Sequence, residues 1–226
     1  MNTKKSVSMK AAVVLTAAVL LFGCAVGGTL AWLLDKTEPV INTFTVGNID
    51  IDLKEHDLKA DGTLDQNTEV TEEDTYKIIP GTSQPKDPFV RVEANSEACW
   101  VFIKVEEKNS AATYITYGID TTVWTALGDA YPGVYYKDQA AVTTDETLNI
   151  LKDKVVSYSD SLTKAQIDAL YDIVKDADGN VTSMTMKSED KLPKLQFTAY
   201  AIQKVNANGT EFTQTGAWTE LNKPAI

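Results

Sequence analysis

The sequence predicts a mainly β protein: a jelly-roll-like antiparallel β-sandwich with one or two short helices, preceded by a cleavable signal helix. Three observations carry that expectation. Apolar residues alternate with polar ones in 42–53, and the runs 89–94, 99–106 and 195–203 are strand-like, the last two apolar on both faces in whole or in part, which marks strands with one or two buried faces. Turn signals built on Gly, Pro and Asn recur roughly every ten residues, the spacing of short sandwich strands. Strong helical periodicity is found in one later segment, 161–174.

The composition narrows the function classes. The chain has 226 residues, 43% apolar and 23% charged, an ordinary globular balance that excludes collagen-like, coiled-coil and largely disordered chains. Against 21 basic residues stand 32 acidic ones, a net charge of −11. Such a chain repels phosphate backbones, so no nucleic-acid partner is expected. His56 is the one histidine, and Cys24 and Cys99 are the two cysteines. These are too few for a disulfide framework, a His-based zinc site or a thiolate cluster. No HExxH and no GxSxG is present. No cofactor, no catalytic residue and no enzymatic activity is therefore expected.

Residues 1–10 carry Lys4, Lys5 and Lys10 and no acid, and residues 11–34 carry no charge at all. A basic start before an apolar run is an export signal. Three endings are open: cleavage after Ala31, with the small residues Thr29 and Ala31 read by the peptidase; lipidation at Cys24 in Leu21-Phe22-Gly23-Cys24; or retention as a membrane anchor. Cleavage after Ala31 removes three lysines and no acid, leaving 18 basic and 32 acidic residues, net −14, and one cysteine.

In the remaining chain, Phe44 and Val46 alternate with threonines, and Ile49, Ile51 and Leu53 with polar residues. The parity switches at Gly47, which predicts a bulge or bend. The polar and acidic stretch 54–75 reads as a surface loop, with Pro80-Gly81 a turn after it. The runs 89–94 and 99–106 form a hairpin candidate across Asn95-Ser96-Glu97-Ala98. Cys99, Val101, Ile103 and Val105 share one face and Trp100 and Phe102 the other. That strand is buried on both sides and central, with Cys99 a small core residue.

Residues 113–124 and 134–136 are aromatic and β-branched, and Tyr131-Pro132-Gly133 is a turn; 143–151 reads equally as short helix or strand. In 161–174, Thr163 and Gln166 have capping-box spacing, and Leu162, Ile167, Leu170, Tyr171 and Val174 make a helical stripe. Asp176, Asp178 and Asn180 around Gly179 are weak calcium candidates, but Gly179 is misplaced for an EF-hand loop and Lys187 stands where the bidentate Glu belongs. A hairpin turn is the simpler reading. His56, between Glu55 and Asp57, reads as a solvated loop residue. Asn180-Val-Thr182 and Asn208-Gly-Thr210 fit the glycosylation sequon.

Residues 27–55, GGTLAWLLDKTEPVINTFTVGNIDIDLKE, resemble the start of the TasA/camelysin family of Gram-positive bacteria. The matching residues are Gly27, Gly28, Thr29 and Ala31, then Asp35, Asn42, Phe44, Gly47, Ile49 and Ile51. The Pro80-Gly81 turn and the LQFTAYAIQ run before Trp218 are similar to later features of that family.

The resemblance implies a secreted jelly-roll protein that builds fibres of a biofilm matrix or cell surface. It implies cleavage by a signal peptidase of the endoplasmic-reticulum type, and membrane contact only through the uncleaved signal. It also implies strand donation, in which the segment after the cleavage site adds as a strand to the next subunit. On that reading residues 1–31 are signal peptide, 32–44 donor segment and 45–226 sandwich domain. The donor candidates are Trp32, Leu33, Leu34, Val40, Ile41 and Phe44. The expected partners are copies of the chain and other matrix components. Two alternatives are a monomeric adhesin or binding module that shares only the export signal, and a secreted metallopeptidase, for which no ligand set is recognisable.

Overall fold

A computed structural model describes residues 34–36, 48–71, 77–206 and 208–223. The fold is mainly β, with every strand pairing antiparallel. In chain order the first strands are β1 (Leu34–Lys36), β2 (Ile51–Leu58), β3 (Leu64–Val70), β4 (Ser83–Pro85), β5 (Phe89–Val92) and β6 (Cys99–Lys108). Helix α1 (Ala111–Tyr114) leads to β7 (Ile115–Thr116), β8 (Thr125–Ala126), β9 (Val134–Gln139), β10 (Glu146–Asn149) and β11 (Val155–Tyr158). Then come α2 (Lys164–Asp168), β12 (Tyr171–Lys175), β13 (Val181–Met186), β14 (Lys194–Gln203) and α3 (Gln214–Leu221).

The strands form a five-stranded sheet, β1-β14-β6-β9-β8, and a four-stranded sheet, β10-β5-β2-β3. A three-stranded sheet, β4-β11-β7, and the two-stranded β12-β13 complete the set. One core joins the two large sheets. Val101, Ile103, Ala199 and Ala201 from the first pack with Ile51, Val90, Val92 and Leu148 from the second. This arrangement is consistent with a β-sandwich. Trp124 lies fully inside, its indole N–H donating to the Asn149 carbonyl at 2.7 Å, which satisfies the ring's one polar group.

The expected alternation in 99–106 holds. Cys99, Val101 and Ile103 are fully buried on the inner face. Trp100 and Phe102 are buried on the outer face, beneath α3, with Tyr200, Ile202 and Trp218. Strand β6 lies between β14 and β9, central as its two apolar faces require. The same division runs through β14, where Ala199 and Ala201 face inward and Tyr200 and Ile202 outward.

Other expectations are corrected. Residues 54–71 are not a loop: β2 runs to Leu58 and pairs with β3, with a register shift between His56 and Asp57. The 89–106 segment is not a hairpin. β5 pairs with β2 and β10 while β6 pairs with β14 and β9, so residues 93–98 cross from one sheet to the other. The 143–151 ambiguity resolves to strand β10. The 161–174 helix is cut to α2. Its capping box is formed, with the Thr163 N–H donating to Gln166 Oε1 at 2.7 Å. Beyond Leu170 the chain extends into β12, whose Tyr171, Ile173 and Val174 find cross-strand partners on β13. Three short helices occur among the described residues, where one or two were expected. The Gly47 parity switch lies outside the described residues.

Candidate functional site

The first candidate is the β1 edge of the five-stranded sheet. β1 is three residues long and lies against the ten-residue β14. Leu34 pairs with Ile202, Asp35 with Ala201 and Lys36 with Tyr200. So short a strand contributes few ladder hydrogen bonds, whereas the strand receiving it is anchored along its whole other side by β6. The partner residues on β14 are among the best buried in the molecule. Ala201 and Ile202 are inaccessible to solvent and Tyr200 is nearly so.

Helix α3 supports this edge from the outer face. Its start is fixed by Thr213, whose hydroxyl accepts the Gly216 N–H at 3.1 Å, a standard N-cap. The Trp218 ring meets Tyr200 edge-on at 5.2 Å between centroids and Phe102 at 5.4 Å. Such aromatic pairs add about 0.5–1.5 kcal/mol beyond the area they bury. The Trp100 indole N–H donates to the Phe212 carbonyl at 3.2 Å, and Lys204 lies over the Trp100 ring. The receiving strand is thus held by β6 at its side and by an aromatic layer above it.

Of the donor candidates, Leu34 is in β1, paired with β14 of its own chain. Trp32, Leu33, Val40, Ile41 and Phe44 lie outside the described residues, as do Thr29 and Ala31 of the peptidase site. Among the described residues no helix is long and apolar enough to cross a membrane.

His56 is not a solvated loop residue. Its ring, mostly buried on β2, sits 5.1 Å from that of Phe89. His56 Nδ1 is 2.8 Å from Asp87 Oδ2, and its backbone N–H donates to Asp87 Oδ1 at 3.1 Å. Asp87 is fully enclosed, and Lys154 Nζ is 3.5 Å from its Oδ2. Beside it, Lys86 Nζ bonds Glu55 Oε2 at 2.6 Å. The cluster ties β2 to the β4–β5 connection and to the start of β11. Sequence reasoning missed it because Asp87 lies 31 residues from His56, with no local motif linking them.

Asp176, Asp178 and Asn180 lie in the β12–β13 turn. Asp176 Oδ1 accepts the backbone N–H groups of Asp178 and Asn180 at 3.0 and 2.8 Å, and Oδ2 accepts the Asn180 side-chain amide at 3.1 Å. Those bonds, led by the Asn180 side chain, hold the Asp176 carboxyl below its ordinary value. Its oxygens serve the turn. Among the described residues no group of three or more His, Cys, Asp or Glu converges as a metal site. Outside the turn, Arg91 makes a two-pronged ion pair with Glu69 on the outer face of the four-stranded sheet, and this holds the Glu69 carboxyl low.

Comparison with known proteins gives no match to a family model, a curated protein or a solved structure.

Proposed function

We propose that this chain is an exported structural protein of the cell surface or biofilm matrix, jelly-roll in fold, that assembles into fibres by N-terminal strand donation. The observation that supports this reading is the β1 pairing with β14. A three-residue strand next to the point of predicted cleavage occupies an edge whose receiving strand is rigidly held. The same pairing formed between copies, Leu34 of one subunit on Ile202 of the next, exchanges like contacts for like. The exchange is therefore nearly neutral in contact energy and is driven by concentration. Because donor and acceptor are different surfaces, the contact is head-to-tail and does not close, which makes a filament. Net charge sets the conditions. At −14 after cleavage, subunits repel one another, and protonating carboxylates in mild acid weakens that repulsion.

The test is electron microscopy of the chain beginning at Trp32, with and without residues 32–41. Fibres that vanish on deletion, and that are blocked by an added peptide of residues 32–41, support donation. A chain that starts at Trp32 and stays monomeric at high concentration across pH overturns it in favour of a monomeric adhesin. N-terminal sequencing of protein from medium and cells decides among release, lipidation at Cys24 and a retained anchor.

A further inference from the structure

We propose that the β12–β13 hairpin is a second self-association element, which pairs through the outer edge of β13 with β13 of another copy of this chain. This contact is separate from strand donation and does not depend on it.

The hairpin is a two-stranded sheet of its own. Such ribbons are marginal in water and gain stability from added strands. Val174, Val181 and Met184 are about half exposed, and every residue of β13 except Met186 is exposed. Among the described residues, β13 has β12 as its one ladder partner. Its sequence, Val-Thr-Ser-Met-Thr-Met, contains no charge, proline or glycine, the devices that ordinarily protect an edge.

The hydrogen-bond phase fixes which groups point outward. The Lys187 N–H donates to the Leu170 carbonyl at 2.9 Å. Backbone groups alternate along an antiparallel strand, so those of Thr185 turn toward β12 and those of Met184 and Met186 turn away from it. The register shift falls at Thr182, between the pairs Val174–Ser183 and Lys175–Val181, and leaves Ser183–Met186 regular.

A two-fold axis perpendicular to the sheet and passing beside Thr185 uses these outward groups fully. Met184 of each copy then pairs with Met186 of the other, giving four backbone hydrogen bonds. Thr185 meets Thr185, a favourable cross-strand pair, and Ser183 meets Lys187, so no like charges face each other. Tyr171 and Ile173, cross-strand from Met186 and Met184, extend the apolar face of each half. The edge is complementary to itself, as an isologous contact requires, and this favours a second copy over an unlike strand.

The test is oxidative cross-linking of the full-length chain carrying Cys24→Ser, in mild detergent, with the Cys24→Ser chain as blank because its one remaining cysteine, Cys99, is fully buried. Thr185→Cys alone is expected to shift to twice the monomer mass on a non-reducing gel. Met184→Cys and Met186→Cys are each expected to stay monomeric, and to form the doubled species when mixed. Same-residue Cα atoms in those two variants sit on the diagonal, about 7–8 Å apart, beyond disulfide reach. Thr185→Lys, which sets two cations face to face, is expected to abolish association while leaving the thermal unfolding of the exposed hairpin's host unchanged. Absence of the Thr185→Cys dimer, or equal cross-linking by Met184→Cys alone, overturns the proposal. Deleting residues 32–41 removes donated strands and is expected to leave these cross-links intact, so the two contacts fail independently.

Discussion

The imidazole of His56 and the carboxylate of Asp87 meet at 2.8 Å inside the protein, and the same carboxylate also accepts the His56 backbone N–H. Asp87 is thereby a structural acceptor for a strand that bulges at this point. Replacing it with alanine leaves the His56 N–H buried without that acceptor, a loss of about 1–3 kcal/mol. Denaturant unfolding of Asp87→Ala against the parent measures it, and a change within error refutes the assignment. His56→Ala keeps the backbone bond and is expected to cost less.

Gly133 has a left-handed φ of 75°, and a Cβ placed there would lie 2.4 Å from the Val105 carbonyl oxygen. The close approach exists because the Val105 N–H donates to the Gly133 carbonyl at 2.8 Å. Gly133→Ala is expected to cost more than about 2 kcal/mol, since clash adds to conformational strain. Gly179, with φ of 85° and open space around it, is the control. Gly179→Ala is expected to cost about 1 kcal/mol. Equal losses in the two variants would contradict the steric account.

Trp218 fixes α3 to the five-stranded sheet through Phe102 and Tyr200. Trp218→Ala is expected to destabilise the fold by about 3–5 kcal/mol. It is also expected to increase dye binding to the uncovered aromatic face. A melting temperature unchanged from the parent would show that α3 contributes nothing to the receiving edge.

Two carboxylates predict opposite pH effects. Glu69 is held low by its hydrogen-bonded pair with Arg91. Its folded state binds fewer protons than its unfolded state, so its stabilisation is present above the ordinary carboxylate range and is lost as pH falls through the depressed value. Glu93 is pushed up by burial and then by Asp145 and Asp52. Its folded state binds more protons, so its contribution worsens as pH rises from the ordinary value through the raised one. Glu93→Gln is expected to raise stability at neutral pH relative to mildly acid pH. Glu69→Gln is expected to lower it at neutral pH and to leave the acid limb flatter. Unfolding curves across pH 3 to about 8 check both signs.

Short-range pattern alone placed several elements correctly. The alternation of Cys99–Val105 against Trp100 and Phe102 made β6 central, and Thr163 with Gln166 marked where α2 begins. Each of these rests on contacts within a few residues or on a side chain's preference for one face. The pairing of strands was another matter. Nothing in 89–106 distinguishes a hairpin from a crossing between sheets, because both leave the same alternation; the choice lies with β2, β10, β14 and β9, which compete for those edges. The helical stripe through Tyr171 and Val174 yielded to a hairpin because β13 offered those residues cross-strand partners. His56 looked solvated until a carboxylate 31 residues away enclosed it. The placement of Leu34 beside Ile202 is the most distant of these relationships. It joins residues far apart in the sequence, and only a folded β14 edge, held by β6 and roofed by Trp218, makes that position available.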